Sequence, residues 1–381
     1  MKIAIVLNTS WNIYNFRKGL IKNFLEQGHE VVAIAPKDQF SDRIRELPCQ
    51  FIPIRMDSRG INPLKDIGLF FELLWIYYRH APDLILHYTI KPNIFGSIAA
   101  GLLGIKNVAN VCGLGTLFLN PGLPTSFAMW LYKLAFRFPF KVFFQNAEDQ
   151  NVFVSKNLIV ESRCRQIPGS GVDVDFFRPF LKTIQSEVHF LMMSRIILDK
   201  GVKEFLSAAR SLKDKGYNVR FSLAGKLDPY HKRGIPMAKF AEWLDWSGVN
   251  YLGFKEDIRH LISTSDVVVL PSYREGTPKS LLEAAACGKP IICTNVPGCK
   301  QVVQKGYNGF LCQPGSAADL ERAMKQFYDL ELPERRQMGR NSRKVAETKF
   351  SERIVIGIYN EIIQELDLPA PEFSEPQMQR I

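Results

Sequence analysis

The sequence predicts an α/β protein built from two consecutive, doubly wound parallel-sheet domains. Short apolar runs without period-two alternation recur along the chain, as is typical of parallel strands buried on both faces. Segments with helical periodicity separate these runs, and 381 residues are enough for two such domains. The alternation is interrupted once, by a stretch rich in glycine and proline over residues 167–179, which marks the join.

The first series of elements occupies the N-terminal part of the chain. A helix predicted over 15–27 stops at Gly28, and another is predicted over 64–80. We expect a first domain over 1–168 and a hinge over 169–185. The predicted strands of this domain are 2–7, 30–35, 51–54, 83–87, 107–111 and 141–145.

The second series follows the hinge and predicts a domain over 186–352. The remaining segment, 367–381, contains three prolines and is expected to be poorly ordered. The predicted strands of the second domain are 188–193, 219–224, 267–270, 290–293 and 309–312.

Charge and cysteine content narrow the function classes. The formal net charge of +11 makes nucleic acid, an anionic membrane and phosphorylated substrates candidate partners. No helix-turn-helix, zinc-finger or single-strand-binding signature is present, which favours lipid headgroups and diphosphates. Seven cysteines without a C-x-x-C pair fit neither a disulfide framework nor a zinc site. Residues 1–7 are too brief for a signal-peptide core, so we expect a cytoplasmic protein.

Two carboxylates eight residues apart, Glu275 and Glu283, flank a predicted helix start after the strand 267–270. Thr277 suits an N-cap and Pro278 a first helical residue. Open α/β sheets bind ligands at this edge, and a helix N-terminus there favours an anion. A ligand site and a polar loop with an ordinary surface glutamate both remain open on spacing alone.

A basic pair follows the first strand of the second domain. Arg195 and Lys200 precede a helix that is predicted to start near Gly201. A guanidinium can hold two phosphate oxygens in a fork, while an ammonium adds a point charge. The alternative is a solvated basic loop, because strand-to-helix loops often carry such residues.

Both motifs resemble those of one enzyme family. Glu275 and Glu283 resemble the E-x7-E signature, and Arg195 and Lys200 the R-x4-K-G motif, of retaining glycosyltransferases of family 4, which have the GT-B fold. The resemblance implies a UDP-sugar donor without a metal or other cofactor. It implies that Glu275 binds the sugar, Glu283 the ribose, and the two cations the diphosphate. Further donor contacts are expected from Gly276, Thr277, Pro278, Lys279, Ser280, Gly225, Phe254 and Gly298.

The same resemblance implies that the first domain binds the acceptor. The fuller match, over residues 8–17, 62–66, 88–93 and 112–115, is with bacterial enzymes that add an N-acetylhexosamine to an undecaprenyl-diphosphate-linked sugar in glycan and capsule assembly. It implies transfer of a hexose or N-acetylhexosamine, such as GalNAc or GlcNAc, to a polyprenyl-diphosphate-linked saccharide. The expected acceptor contacts are Asn8, Thr9, Ser10, Arg17, Lys91, Gly113 and Gly115.

His87 and Lys91 follow the strand 83–87 and are expected to face the cleft. Some relatives have a catalytic histidine near this point, so His87 is either catalytic or structural. Lys91 is a candidate for the acceptor diphosphate. Asp173 and Asp175 form a D-x-D pattern that could ligate a metal, but relatives carry a similar segment at the interdomain crossing. The resemblance also implies that a last helix, near 353–366, packs back on the first domain.

Residues 123–141 interleave aromatic and basic side chains. Lys133, Arg137 and Lys141 are spaced by four, which would put them on one side of a helix beside Trp130. Such a segment suits the headgroup boundary of an anionic membrane and is too short and charged to span it. The alternative is a helix covering the sheet with a basic outer face. We expect peripheral attachment to the inner face of the cell membrane.

The resemblance implies front-face retaining transfer. The sugar leaves UDP as an oxocarbenium-like species and the departing phosphate takes the acceptor proton, so no protein nucleophile is needed. Three rival functions stay open at this point. They are a sugar-nucleotide epimerase of the same fold, a soluble transferase for a non-lipid acceptor, and a non-catalytic sugar-nucleotide or membrane adaptor.

Overall fold

The computed structural model describes residues 1–57, 60, 62–114, 123–180 and 187–367. Its first sheet has the strand order β3-β2-β1-β4-β5-β6-β7, all parallel. The strands are β1 (Lys2–Val6), β2 (Glu30–Ala35), β3 (Gln50–Pro53), β4 (Leu84–Tyr88), β5 (Lys106–Val111), β6 (Lys141–Phe144) and β7 (Cys164–Gln166). The helices are α1 (Ser10–Glu26), α2 (Ser41–Arg45), α3 (Pro63–His80), α4 (Ser97–Leu102), α5 (Leu123–Ala135) and α6 (Ala147–Ser155).

The second sheet is also parallel and has the order β10-β9-β8-β11-β12-β13. Its strands are β8 (Val188–Met193), β9 (Val219–Ala224), β10 (Asn250–Tyr251), β11 (Val267–Leu270), β12 (Ile291–Thr294) and β13 (Gly309–Cys312). The helices that follow β8 in the chain are α7 (Val202–Asp214), α8 (Met237–Ser247), α9 (Arg259–Thr264), α10 (Lys279–Ala286), α11 (Cys299–Val302), α12 (Ala317–Tyr328), α13 (Leu332–Lys349) and α14 (Glu352–Asp367).

Both sheets are covered by helices on their two faces. In the first domain α1 and α14 cover one face, while α3, α4 and α5 cover the other. The central strands are almost wholly buried because their side chains are aliphatic or aromatic on both faces. These two doubly wound sheets confirm the predicted fold class.

The chain crosses between the domains twice. Val172 pairs with the segment before α14, since its N–H donates to the Phe350 carbonyl (2.9 Å) and its carbonyl accepts from the Glu352 N–H (2.9 Å). Helix α14 then packs in the first domain, where Tyr359 is buried with its ring 5.3 Å from that of Phe143. The two crossings put the carboxyl edges of the sheets opposite each other. The predicted tail after residue 367 lies outside the described residues.

One helix and two short strands differ from the sequence prediction. Helix α1 begins at Ser10 and not at residue 15, because the Thr9 side chain accepts from the Asn12 N–H (3.0 Å) and caps it. The polar and aromatic residues of its first turns conceal the apolar periodicity. The short strands β7 and β10 were not predicted, since neither contains an apolar run. Within the described chain, no helix is long and apolar enough to cross a membrane.

Candidate functional site

The loop between β11 and α10 contacts the first domain. A Cβ added to Gly276 would come within 2.3 Å of the Cys112 carbonyl oxygen and 2.5 Å of Gln145 Oε1, both in the first domain. The Thr277 N–H donates to the same Gln145 oxygen at 3.0 Å. Only glycine fits at this point, and the contact closes one part of the interdomain cleft.

Two further glycines complete this contact. Gly113 has a φ of +110°, and a Cβ there would lie 3.0 Å from the Gly276 nitrogen. Gly298 has a φ of +81°, and its Cβ would lie 1.9 Å from the Gly276 carbonyl oxygen. Both positions combine left-handed backbone with close approach, which is why glycine occupies them. Three segments far apart in sequence therefore meet around Glu275.

Lys200 contacts Glu275 through an ion pair between its ammonium and the Oε1 atom of that carboxylate. The turn before α7 is fixed against the β11–α10 loop, because the Tyr273 N–H donates to the Asp199 carbonyl at 2.9 Å. Both side chains of the pair are about one-seventh exposed. The Lys200 ammonium and the Glu275 carboxylate thus lie together at the carboxyl edge of the second sheet, and both keep some exposed surface.

Arg195 lies at the end of β8, at the same edge of the sheet. Its side chain is exposed, and its carbonyl accepts from Ser194 Oγ at 3.1 Å. Among the residues that the structure describes, its guanidinium has no ion-pair partner. Of the two predicted phosphate ligands, Lys200 is thus engaged with Glu275, while Arg195 is available to an anion.

The start of α10 differs by one residue from the prediction. Pro278 is the N-cap, with a φ of −72° and a ψ of 115°, and the helix begins at Lys279. Thr277 does not cap it, because its hydroxyl points to the Gln145 carbonyl at 3.4 Å. Ser280 lies in the first turn and is partly exposed. The threonine joins the two domains and does not stabilise the helix end.

Lys279 and Glu283 form the charged face of α10. The Lys279 ammonium donates to the Asn15 carbonyl and lies 4.8 Å from the Phe16 ring centroid. Burial lowers the pKa of Lys279, and the nearby Glu283 carboxylate opposes that shift. Burial raises the pKa of Glu283 to about 7, with Lys279 opposing. Glu283 is therefore only partly ionised near neutral pH.

Comparisons with known proteins show the family to which the chain belongs. A family model described as Glycosyl transferases group 1 matches residues 173–345, and one described as Glycosyl transferase 4-like matches residues 2–146. The N,N'-diacetylbacillosaminyl-diphospho-undecaprenol alpha-1,3-N-acetylgalactosaminyltransferase of Campylobacter jejuni is 31% identical to this chain. That match covers 84% of the chain and 87% of the relative. The chain belongs to the family 4 glycosyltransferases.

Another relative supports the assignment, and solved structures show the same fold. The UDP-Gal:alpha-D-GlcNAc-diphosphoundecaprenol alpha-1,3-galactosyltransferase of Escherichia coli is 25% identical, over 72% of this chain and 73% of its own length. The crystal structure of Anabaena HepE in complex with UDP has a TM-score of 0.77 at 19% identity, and the match covers 96% of this chain and 100% of that one. A Rickettsia africae glycosyltransferase has a TM-score of 0.80 at 18% identity, with 96% and 98% covered. The predicted GT-B fold and glycosyltransferase class are confirmed.

Several predicted acceptor contacts of this glycosyltransferase are structural. Ser10 is wholly buried, with its hydroxyl 2.8 Å from the Pro36 carbonyl and 3.0 Å from Ser41 Oγ, so its predicted acceptor contact is wrong. Asn8 and Thr9 are partly buried at the start of α1. The Asn8 side chain accepts from that of Asn12 at 2.8 Å. Gly115 lies outside the described residues.

His87 does not face the cleft, and that expectation is wrong. Strand β4 continues to Tyr88, and the His87 ring is wholly buried under α3, with Nε2 2.9 Å from Tyr77 Oη and Nδ1 3.4 Å from Ser97 Oγ. Burial lowers its pKa to about 3. The imidazole is a neutral core group.

Lys91 and Arg17, both predicted to contact the acceptor, are held by contacts within the first domain. The Lys91 ammonium is paired with Asp66 at 2.5 Å, which ties the first turn of α3 to the segment after β4. Arg17 lies on α1, is buried, and has its guanidinium carbon 4.0 Å from the centroid of the Tyr88 ring. Burial tends to lower the pKa of Arg17, but nearby Tyr88 and Tyr359 outweigh it, so the pKa is raised. Arg17 stays charged inside the protein.

Two of the predicted donor contacts, Gly225 and Phe254, lie near the end of β9. Gly225 has a φ of +147°, and a Cβ there would lie 1.7 Å from the Ser194 carbonyl oxygen. The Gly225 N–H donates to Gly253 at 2.9 Å, and the Tyr251 hydroxyl donates to the Gly225 carbonyl at 2.8 Å. Phe254 follows with its ring half exposed. Backbone atoms of these residues therefore line the carboxyl edge of the second sheet beside Arg195.

The D-x-D pattern builds a turn. Asp173 Oδ1 accepts from the Asp175 N–H (3.0 Å) and the Phe176 N–H (2.9 Å), and Asp175 pairs with Arg353 at 2.6 Å. In the part of the chain that the structure describes, no group of three or more His, Cys, Asp or Glu side chains could hold a metal ion.

The ion pairs that join the domains were not predicted from the sequence. Arg274 Nη2 lies 2.5 Å from Asp149 Oδ1, and the Asp149 side chain is wholly buried. Nearby, Lys300 and Glu148 pair at 2.6 Å. Asp149 also anchors the start of α6, where its N–H donates to Asn146 Oδ1 at 2.7 Å. Nothing in the sequence pairs α6 with the β11–α10 loop, so no local pattern could have revealed this contact.

The predicted basic helix is shorter than expected. Helix α5 ends at Ala135, so Arg137 and Lys141 lie beyond it, and the prediction of three cations on one helical side is wrong. Pro139 prevents continuation, and Lys141 begins β6 with its ammonium 5.5 Å from the Phe140 ring centroid. Trp130 and Lys133 are exposed on α5 itself.

Proposed function

We propose that this glycosyltransferase moves a hexose or N-acetylhexosamine from a UDP-sugar to a polyprenyl-diphosphate-linked sugar, with retention of anomeric configuration. The observation that carries the proposal is the contact between Lys200 and Glu275 at the sheet edge that faces the first domain. The C. jejuni and E. coli relatives, which are named for undecaprenol-diphosphate-linked sugars, support the acceptor class.

In this proposal the second domain holds the donor. Glu275 accepts hydrogen bonds from sugar hydroxyls, and Glu283 accepts them from the ribose. Arg195 and Lys200 neutralise the diphosphate without a metal ion. The exposed guanidinium of Arg195 supports this role, because it can reach a bound anion. Gly276 and Gly298 lie in the two loops that meet around Glu275 and contribute backbone atoms to the sugar site.

The chemical step needs no protein nucleophile. The bond between the anomeric carbon and the diphosphate oxygen breaks, and the acceptor oxygen bonds to the same face of the sugar. The acceptor proton passes to the departing diphosphate. Fixed cations near that oxygen lower the barrier as negative charge develops on it. The closed contact around Gly276 excludes water and positions the reactants.

The proposed acceptor is held in the membrane, so the enzyme attaches to the anionic inner face of the cell membrane. Trp130 and Lys133 are exposed on α5, with Arg137 just beyond it, and the chain carries a net charge of +11. Aromatic and basic side chains together suit the headgroup region.

Transfer is tested with a panel of radiolabelled UDP-sugars and short polyprenyl-diphosphate sugars in detergent. We expect one UDP-sugar to label the lipid, and Glu275→Gln to reduce that rate about 100-fold. The matched control is Glu242→Gln, an exposed glutamate on α8, which should keep wild-type rates. Absence of labelled lipid with every donor, or equal rates for wild type and Glu275→Gln, would refute the proposal. The anomeric coupling in the product's NMR spectrum tests retention.

Attachment is tested separately by sedimentation with phosphatidylglycerol vesicles at low salt. The double substitution Lys133→Glu and Arg137→Glu reverses two exposed charges and should weaken binding. Its control is Lys239→Glu and Lys232→Glu in the second domain. Unchanged sedimentation of the first variant would contradict a role for this segment.

A further inference from the structure

One face of α3 is both apolar and exposed. Its large side chains follow one another at intervals of three or four residues, which places them on a single face of the helix. Each is between 52% and 79% exposed. They are Leu64, Ile67, Phe71, Trp75 and Tyr78.

This face is not needed for the core. The opposite side of α3 is already buried against the first sheet by Leu69, Leu73 and Ile76. A surface helix of a soluble domain normally shows polar residues on its outer side. Contiguous exposed apolar surface of this size marks an interaction site.

The apolar surface continues beyond α3. Helices α3, α4 and α5 lie side by side on one face of the sheet. Leu102 at the end of α4 is exposed, and on α5 the exposed rings of Phe127 and Trp130 stack with their centroids 6.0 Å apart. One side of the first domain therefore presents aromatic and aliphatic groups from three helices.

The charges around this surface are positive. Lys65 and Arg79 are exposed near the two ends of α3, and Lys133 is exposed on α5. The acidic side chains near this face are engaged within the domain. Asp66 pairs with Lys91, and Glu72 accepts from the backbone N–H of Arg55 at 3.1 Å. Asp57 lies 4.0 Å from the Lys65 ammonium. The surface is complementary to an anionic partner.

We propose that the α3 face, defined as Leu64, Ile67, Phe71, Trp75 and Tyr78, inserts into the headgroup boundary of an anionic bilayer. Tryptophan and tyrosine beside cations are typical of that boundary. A second copy of the chain fits less well, because a symmetric contact would bring the cations at the two ends of α3 near those of the other copy.

The position of α3 relates this face to the site. Because α3 precedes β4 in a parallel sheet, it starts at the carboxyl edge of the sheet, where the cleft opens. From Leu64 to Tyr78 the face extends about 21 Å at 1.5 Å per residue. A membrane against it would lie beside the mouth of the cleft. The inference rests on the membrane partner in the proposed function and is independent of the reaction.

The test is cosedimentation with vesicles of phosphatidylglycerol and phosphatidylethanolamine that contain neither donor nor acceptor. Phe71→Ser with Trp75→Ser should lower the vesicle partition coefficient about tenfold. The loss should persist at high salt, where attraction between the basic groups and the lipid is screened. The control is Tyr230→Ser with Trp246→Ser, two exposed aromatics of the second domain. Circular dichroism checks folding, and Ile67→Ser with Tyr78→Ser gives a second variant of the same face.

The outcomes separate the claims. If both α3-face variants bind vesicles as tightly as wild type, the α3 assignment is wrong, whatever the transfer assay shows. If wild type binds no vesicles, the membrane partner itself is wrong. If ultracentrifugation shows a wild-type dimer that Phe71→Ser with Trp75→Ser converts to a monomer, the face is an interface between copies. A tenfold loss confined to the α3-face variants supports the proposal.

Discussion

Lys200 and Glu275 lie 75 residues apart in the sequence and form an ion pair in the structure. Each comes from a different loop at the carboxyl edge of the second sheet, and neither side chain is fully exposed. Lys200 therefore has two roles in the proposed function: it orients the carboxylate that binds the sugar, and it adds positive charge near the diphosphate.

Replacing Lys200 tests both roles. We expect Lys200→Met to lower kcat/KM about 100-fold, because it removes a transition-state cation and leaves Glu275 unpaired. Arg195→Met should mainly weaken UDP binding, since Arg195 pairs with no carboxylate among the described residues. Steady-state kinetics and calorimetry with UDP separate the two effects. Lys203→Met, on an exposed position of α7, is the control. Equal kinetics for Lys200→Met and Lys203→Met would contradict the assigned role.

The pKa of Glu283 predicts pH-dependent donor binding. Burial raises it to about 7 from the ordinary value of 4.5, so the carboxylate that accepts ribose hydroxyls forms only as the pH rises through 7. UDP affinity should increase from pH 6 to pH 8, by up to about tenfold per pH unit below the pKa. Calorimetry at several pH values measures this, and Glu283→Gln should flatten the profile. A profile that is identical in the variant would assign the dependence to another group.

The same shift has a consequence for stability. Ionising Glu283 is costly in the folded protein, so its contribution to stability is present below about pH 4.5 and is lost as the pH rises through 7. The stability of wild type relative to Glu283→Gln should therefore decrease from acidic to alkaline pH in urea unfolding.

Arg274 and Asp149 provide a test of domain closure. Asp149 is wholly buried, and removing one partner of a buried pair costs roughly 3–5 kcal/mol because the other charge is left uncompensated. Arg274→Met should therefore lower the unfolding free energy strongly. Lys300→Met is the matched control, since its pair with Glu148 joins the same domains but is more than one-third exposed and is worth about 0–1 kcal/mol. Denaturant titration measures both, and similar small losses would contradict the distinction.

Replacing Gly276 or Gly298 by alanine should have two different effects on the protein. The Cβ of Gly276→Ala would meet atoms of the first domain, whereas that of Gly298→Ala would meet Gly276 and Glu275 of its own domain. Gly276→Ala should thus force the domains apart, seen as a larger radius of gyration in X-ray scattering and lower activity. Gly298→Ala should instead lower the melting temperature, since its φ of +81° also disfavours alanine. An unchanged radius of gyration and full activity in Gly276→Ala would contradict the closed contact.

The fold could be predicted from the sequence because its strands are continuous apolar runs between recognisable helices. The motif residues were also placed at the correct edge, since parallel strands present their carboxyl ends together. Contacts between the domains could not be predicted: Arg274 and Asp149 meet only because two separately folded sheets face each other. The apolar face of α3 was concealed for a related reason, because periodicity alone does not tell which side of a strongly apolar helix packs on the sheet.

His87 shows how a one-residue difference in strand length reverses an assignment. A side chain within a strand points to one of the two faces of the sheet, whereas a residue after the strand lies at the edge of the sheet. The sequence placed the end of the strand at His87, but β4 ends at Tyr88, and the imidazole packs under α3 against Tyr77.

His87→Gln tests this core role. Burial lowers the pKa of His87 to about 3, so between pH 3 and the ordinary value of 6.5 the unfolded chain binds a proton that the folded protein excludes. Wild type should lose about 1.4 kcal/mol of stability per pH unit on acidification below 6.5, relative to His87→Gln. Urea unfolding at several pH values measures the difference. The pH profile of kcat should be the same in both proteins, because the ring does not reach the cleft. A shifted kinetic profile in His87→Gln would show that it does.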